Sequence, residues 1–108
     1  MRERKRFMAF EVLSAQPVKG YDTAYRAIER SLLRFSGIIG LAGAGLKTLP
    51  GYWNQERQRG LIRVSHQFTS QLKAAIALAR KIDNQDVIIR SLGTSGILKK
   101  ANEKYIAA

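Results

Sequence analysis

The chain has 108 residues, 45% of them hydrophobic, which is enough for one domain with one modest core. It has 19 Lys and Arg against 8 Asp and Glu, a formal net charge of +11, so we expect a polyanionic partner: nucleic acid first, an anionic membrane surface second. No cysteine is present, which excludes disulfides and thiolate chemistry. There is also no signal-peptide core and no apolar run near the roughly 18 residues of a transmembrane helix, so we expect a cytoplasmic protein that does not span a membrane. An amphipathic surface helix with bulky apolar anchors would favour a membrane surface, but the sequence shows none that the core does not need, so we expect no membrane partner.

The N-terminal residues 1–6 form a basic arm that runs directly into a predicted strand over residues 6–13. Apolar residues alternate along that strand, which is the pattern of a sheet with one buried face. The residues predicted to face the core are Met8, Phe10 and Val12. The basic residues of the arm are Arg2, Arg4, Lys5 and Arg6.

A long helix is predicted next, with Asp22 as its N-cap. Its apolar positions recur at helical spacing: Ala24, Ile28, Leu32 or Ser31, Phe35, Ile39 and Ala42. A second row contains Arg26, Arg30 and Arg34, either as a solvated face or as a row that follows a phosphate backbone. Several glycines follow Gly37, and since each costs a helix about 1 kcal/mol, we expect the helix to end or bend there.

The middle of the chain predicts an interrupted strand, a turn and a regular strand. Pro50-Gly51 confines the first of these strands to a sheet edge. Trp53, the single tryptophan, suits packing in a core or interface better than stacking on a base. Residues 55–60 form a basic hairpin turn that includes Arg59, and residues 61–66 alternate as a strand.

The last part of the chain predicts a helix, a strand and a short helix. The helix covers residues 68–82, a turn follows at 83–85, and the buried strand begins at Val87 and is stopped by Gly93. Ser95 is the expected N-cap of a helix over residues 97–105 that carries Lys99 and Lys100. This strand–turn–helix is either an ordinary connection with solvated lysines or an anion site at the helix start.

The predicted order is therefore β-α-β-β-α-β followed by a short helix. This is an α+β fold of the split βαβ class, ferredoxin-like or RRM-like, with an antiparallel sheet and two helices on one face. The other face would be partly open, and its exposed residues would suit a protein partner. By alternation that face carries Phe7, Ala9, Glu11, Arg63 and Arg90, although the phase of the last strand is ambiguous. Residues 61–65 lack the aromatic pair of an RNA recognition motif, which disfavours a generic reader of single-stranded RNA.

The sequence offers no catalytic constellation. The acids are scattered, and the one close pair, Asp83 and Asp86, lies in a turn, where such residues more often form the turn than bind Mg²⁺. His66 is the only histidine, so without cysteine it cannot supply a common zinc site. We expect no catalytic site and no metal site on this chain.

Three segments carry a resemblance to a known family. Residues 87–96 (VIIRSLGTSG), 5–12 (KRFMAFEV) and 60–64 (GLIRV) resemble archaeal ribonuclease P protein component 2, in the family's order and at its length. The match spans nearly the whole chain, 1–108, as one domain of that type. The chain departs from the family in its glycine-rich segment before Pro50.

The resemblance implies a protein subunit of ribonuclease P, the ribonucleoprotein that removes the 5′ leader from precursor tRNA. In that enzyme the RNA is the catalyst and uses Mg²⁺, so the resemblance implies no cofactor on this chain. The implied partners are ribonuclease P RNA, component 3 (a TIM-barrel-like protein) and precursor tRNA, and a homodimer is a further arrangement. The alternative is a free-standing basic nucleic-acid-binding domain. The residues expected to bind RNA are Arg4, Lys5, Arg6, Arg59, Arg63, Arg90, Lys99 and Lys100.

Overall fold

A computed structural model describes residues 4–107, which form a five-stranded antiparallel sheet in the order β2-β3-β1-β5-β4. The strands are β1 (Lys5–Ser14), β2 (Lys47–Thr48), β3 (Arg59–Ser65), β4 (Lys81–Ile82) and β5 (Gln85–Ser95). The helices are α1 (Tyr21–Ala44), α2 (Thr69–Leu78) and α3 (Leu98–Ala101), which continues as a π-helical turn, Asn102–Ile106. The order β5-β1-β3-β2 is that of the predicted split βαβ fold, so the α+β prediction is confirmed, with β4 added at one edge.

The main core lies between one face of the sheet and helices α1 and α2. Met8, Phe10 and Val12 of β1 are at most 3% exposed, as their alternation predicts. In β5 the buried residues are Val87 and Ile89, while Ile88 is 63% exposed. The burial of Val87 and Ile89 shows which face of β5 points to the core, which the apolar run left ambiguous. Arg90 therefore lies on the opposite face, beside Glu11.

Helix α1 differs from its prediction at the N-terminus and matches it at the bend. The N-cap is Gly20, with no side-chain capping bond, and Asp22 lies in the first turn, so the predicted cap was wrong. An acidic residue there still stabilises the helix, because it faces the positive end of the helix dipole. The bend is at Gly37, with φ 74° and ψ −177°, and the helix ends at Gly45 in the left-handed conformation.

The apolar stripe of α1 is buried only before the bend. Ile28 and Leu32 are fully buried, but Phe35 and Ile39 are 50% and 89% exposed. The prediction that the stripe continues through Ile39 to Ala42 was therefore wrong. The bend at Gly37 changes which side of the helix faces the core, so that Leu41 and Ala44 pack there instead.

Helix α2 is shorter than the predicted 68–82. It ends at Leu78, and residues 81–82 pair with residues 85–86 as a hairpin. The turn residues Asp83 and Asn84 both have positive φ, 49° and 66°, which the common two-residue hairpin turn requires. Ala79 and Ile82 are buried in either conformation, so their burial could not distinguish helix from strand.

The C-terminal helical segment covers the centre of the second sheet face, and one end stays open, where Leu13 and Ile88 are 44% and 63% exposed, in agreement with the predicted partly open face. Ala9 and Leu61 are fully buried there against Ala101 and Ile106 of the C-terminal helical segment. The prediction that Gly93 stops the strand was wrong. Gly93 lies inside β5, next to an irregularity where the pairing to β1 shifts by one residue. A methyl group at Gly93 would overlap the Tyr105 hydroxyl, so only glycine fits beneath that ring in its present position.

Aromatic packing fixes the interrupted segment before β3. Trp53 lies 6.2 Å from Phe10 and 6.3 Å from Tyr21 between ring centroids, so its role is core packing. The Tyr21 hydroxyl donates to the carbonyl of Leu61 at 2.6 Å and accepts from the amide of Leu49 at 3.0 Å. Within residues 4–107, no helix is long and apolar enough to cross a membrane.

Candidate nucleic-acid interface

The strand register divides the eight predicted RNA-binding residues between the two ends of the sheet. Phe7 pairs with Arg63 on one side and with Ser95 on the other, which marks the end where the arm enters. Glu11 pairs with Arg59 and Arg90 four residues further along β1, or about 13 Å at 3.3 Å per residue. These eight side chains therefore do not form one continuous cluster.

The arm and the C-terminal helix lie at the same end. A methyl group at Gly96 would lie 2.9 Å from Nη1 of Arg6, so that guanidinium lies beside the turn into α3. Lys99 and Lys100 are exposed on α3, four and five residues after Ser95, the end of β5. Arg4 is exposed, and its carbonyl accepts from the backbone amide of His66 at 2.9 Å.

Lys5 and Arg63 are partly buried at this end. A methyl group at Gly45 would lie 3.4 Å from Nζ of Lys5, which places the ammonium at the C-terminal end of α1. A cation is stabilised at that position by the helix dipole. Arg63 pairs across the sheet with Phe7 and with Lys47, and its Nε is buried without a hydrogen-bond partner among the described residues. Unpaired buried donors are rare in native proteins and point to a ligand or to water.

Sequence reasoning missed two further lysines at this end. Lys47 is an exposed residue of the edge strand β2 and pairs with Arg63 of β3. Lys73 lies on the exposed side of α2. Lys73 lines a cleft of about 200 Å³ between α2 and β5, where the hydroxyls that also line it are Thr69, Ser70, Ser91 and Thr94. Hydroxyls and a lysine together form the kind of surface that binds phosphate and sugar oxygens. We call the following set the basic end: Arg4, Lys5, Arg6, Lys47, Arg63, Lys73, Lys99 and Lys100.

Arg59 and Arg90 are part of an ion network instead. Nε of Arg59 lies 2.9 Å from one oxygen of Glu11, and Nη2 of Arg90 lies 2.6 Å from the other. Burial alone would raise the pKa of Glu11, but hydrogen bonds and charge attraction from Arg59 and Arg90 hold the pKa below its ordinary value of 4.5. Arg59 also donates to the carbonyl of Tyr105 at 3.1 Å, which links the sheet to the C-terminal segment.

The helix of the strand–turn–helix begins later than predicted. Helix α3 is one turn long and its N-cap is Ile97, so the prediction of Ser95 as the cap was wrong. The hydroxyl of Ser95 accepts from the amide of Ile97 at 3.1 Å, a local turn that ends the strand.

The candidate metal pair lies in the β4–β5 hairpin. Asp83 occupies the turn, and Asp86 lies 3.9 Å from Nζ of Lys81 on the neighbouring strand. Among residues 4–107, no group of three acidic, histidine or cysteine side chains is arranged to hold a metal ion.

The chain is similar to a family of known proteins. The model of the Rpp14/Pop5 family matches residues 6–106. The chain belongs to this family. Ribonuclease P protein component 2 of Thermococcus kodakarensis is 30% identical, with 99% of this chain and 87% of that protein covered. The same component of Methanosarcina barkeri is 29% identical, with 98% and 75% covered.

A solved structure shows the same fold. A chain in the cryo-EM structure of yeast ribonuclease MRP matches with a TM-score of 0.64, at 16% identity, over 89% of this chain and 76% of that one. Together the relatives confirm the family predicted from residues 5–12, 60–64 and 87–96.

Proposed function

We propose that this chain is a protein subunit of ribonuclease P and that it contacts the ribonuclease P RNA through the basic end. Its relatives among the archaea are ribonuclease P protein components, which supports the assignment to that particle. The alternative, a free-standing nucleic-acid-binding domain, is less well supported because ribonuclease P protein components match 98% or 99% of the chain.

The observation that carries the proposal is the position of the basic end. It gathers eight cations and a hydroxyl-lined cleft around one end of the sheet. Both sheet faces are packed against helices, so Phe7 and its neighbours offer no open platform for base stacking. Contact with the phosphate backbone is the mode of recognition that cations and hydroxyls support.

The proposal assigns catalysis to the RNA and its Mg²⁺, in the cytoplasm, with component 3 and precursor tRNA as the other partners. This chain would hold the RNA in its working conformation by neutralising phosphates. The purified chain with Mg²⁺ should therefore leave precursor tRNA intact, and should enhance cleavage only when the RNA and component 3 are present. Site-specific cleavage by the chain alone would contradict this division of labour.

The binding surface is tested by the salt dependence of RNA affinity. Replacing Lys99 and Lys100 by alanine should weaken binding and flatten the log–log salt slope by roughly 0.7 to 0.9 for each lost phosphate contact. The matched control replaces two exposed cations outside the basic end, Lys19 and Arg57, and should leave the slope unchanged. Equal slopes for the wild type and both double variants, measured by filter binding from 50 to 300 mM salt, would remove the basic end as the RNA site.

A further inference from the structure

A second basic surface lies on the helical side of the sheet, apart from the basic end. A groove of about 590 Å³ runs between α1 and the chain that leaves α2 for β4. Four cations line it: Arg30, Arg34, Arg80 and Lys81. The apolar side chains that line it include Phe35 and Leu78, which are 50% and 54% exposed.

The apolar surface continues from the groove past the bend in α1. Ile38 and Ile39 follow Phe35 and are 77% and 89% exposed, because the bend at Gly37 turns them away from the core. Large apolar side chains exposed close together in water are unfavourable and mark a surface that another molecule covers.

The positive charges of the groove are little neutralised by carboxylates of the described residues. No ion pair forms with Arg30, Arg34 or Arg80 among the described residues, and Lys81 has only its long contact with Asp86. Two further acids, Asp22 and Asp83, line an adjoining hollow with Arg26 and Arg30. The groove therefore presents net positive charge beside an uncovered apolar rim.

We propose that this groove seats an acidic, amphipathic segment of a protein partner, whose carboxylates meet the four cations and whose apolar side chains cover Phe35, Leu78 and the bend. RNA is the less favourable occupant, because phosphates would pair with the cations but leave the aliphatic side chains in water. The only hydroxyl of the lining, Ser31, already donates to the carbonyl of Ala75 at 2.6 Å. The proposal extends the proposed function, in that it assigns RNA and protein to different surfaces of the same subunit.

The test is site-specific photo-cross-linking within the native assembly. Leu78 is replaced by p-benzoylphenylalanine, the particle is purified through a tag on this chain and irradiated, and the cross-linked peptide is sequenced by mass spectrometry. The matched control carries the same probe at Ile88, which is 63% exposed but lies on β5, outside the groove. We expect Leu78 to cross-link to one acidic, apolar protein segment and Ile88 not to reach that segment.

Charge reversal gives the second arm. Arg34→Glu with Arg80→Glu should lower the Leu78 cross-link about tenfold or more, because like charges then face each other, while the same two positions changed to Lys should retain it. Both are exposed, so thermal melts should match the wild type. Cross-linking of Leu78 to RNA, to a second copy of this basic chain or to a segment without acidic residues, or no cross-link above the control, overturns the proposal.

The outcomes also separate this proposal from the one about function. If the purified particle lacks ribonuclease P RNA but Leu78 cross-links to an acidic protein segment, the groove assignment stands and the proposed function fails. If ribonuclease P RNA is present and the salt slope changes as expected, but Leu78 reaches only RNA, the reverse holds.

Discussion

Glu11→Gln tests how strongly the ion network holds the sheet to the C-terminal segment. The Glu11 side chain is 10% exposed and accepts from Arg59 and Arg90 on the two neighbouring strands. The substitution keeps the shape of the side chain but removes its charge. Arg59, whose side chain is 21% exposed, would then keep the carbonyl of Tyr105 as an acceptor without a counter-charge.

The magnitude follows from the burial of the three groups. Breaking a buried ion pair costs about 3–5 kcal/mol, and an exposed one costs 0–1 kcal/mol. Glu11 and Arg59 are mostly buried, but the Arg90 side chain is 57% exposed, so we expect a loss of about 2 kcal/mol in the free energy of unfolding. For a domain of this size that corresponds to a fall in Tm of roughly 8–16 °C.

The pH dependence identifies the cause. Because the folded-state pKa of Glu11 lies below the ordinary value of 4.5, its contribution is fully present above about pH 5. The contribution is lost as the pH falls through the folded pKa. The difference in Tm between wild type and variant should therefore be constant from pH 5 to 7 and should shrink below pH 4.5, as measured by thermal melts in circular dichroism.

Arg90→Gln is the matched control, since it removes the exposed partner and leaves Arg59 paired with Glu11. It should cost under about 1 kcal/mol. An equal Tm for Glu11→Gln and wild type at pH 7, or a difference that persists unchanged at pH 3, would refute the reasoning. So would a control variant that is as unstable as Glu11→Gln.

Two further substitutions test the packing around the sheet by denaturant unfolding. Tyr21→Phe removes the hydroxyl that joins the carbonyl of Leu61 to the amide of Leu49, and should cost about 2 kcal/mol because both groups lose a partner; an unchanged midpoint would contradict that. Gly93→Ala should cost about 1–3 kcal/mol, because the new methyl group displaces the Tyr105 ring. The same change in a Tyr105→Ala background should cost much less, and a full additive loss there would show that the ring is not the cause.

The sequence was sufficient to predict those helices and strands whose hydrophobic periodicity fits only one kind of secondary structure. The alternation of Met8, Phe10 and Val12 identified β1 and its buried face, and the first turns of α1 followed from the spacing of Ala24, Ile28 and Leu32. It was insufficient where one pattern fits two structures. Residues 79–82 place apolar groups three apart, which suits a helix, but the turn that follows makes them the start of a hairpin.

The covered sheet face had a readable signal that went unused. Leu98, Ala101 and Tyr105 recur at helical spacing, which indicates an amphipathic helix with an apolar side to bury. That side fits against the small residues of the outer sheet face, Ala9 and Gly93.

The candidate site depends on strand register, which no local pattern encodes. Arg59 and Arg90 are 31 positions apart in the chain, and both reach Glu11 only because β3 and β5 pair with β1 at the same residue. A one-residue slip would move either arginine to the other face. For the same reason the sequence did not show that Lys47 joins Arg63, or that Lys73 faces the hydroxyls of β5.

The covering of both sheet faces also decides how a basic protein of this topology can recognise RNA. An open sheet would let aromatic side chains stack on bases and so select sequence. Here the C-terminal segment occupies the centre of that face and Arg59 links it to the sheet, so the basic end offers cations and hydroxyls instead of a stacking platform. Such groups contact phosphate and sugar, which every nucleotide shares. Under the proposed function, selectivity for one RNA would then have to come from the RNA's folded shape, which suits the proposed role as a subunit that supports a structured catalytic RNA.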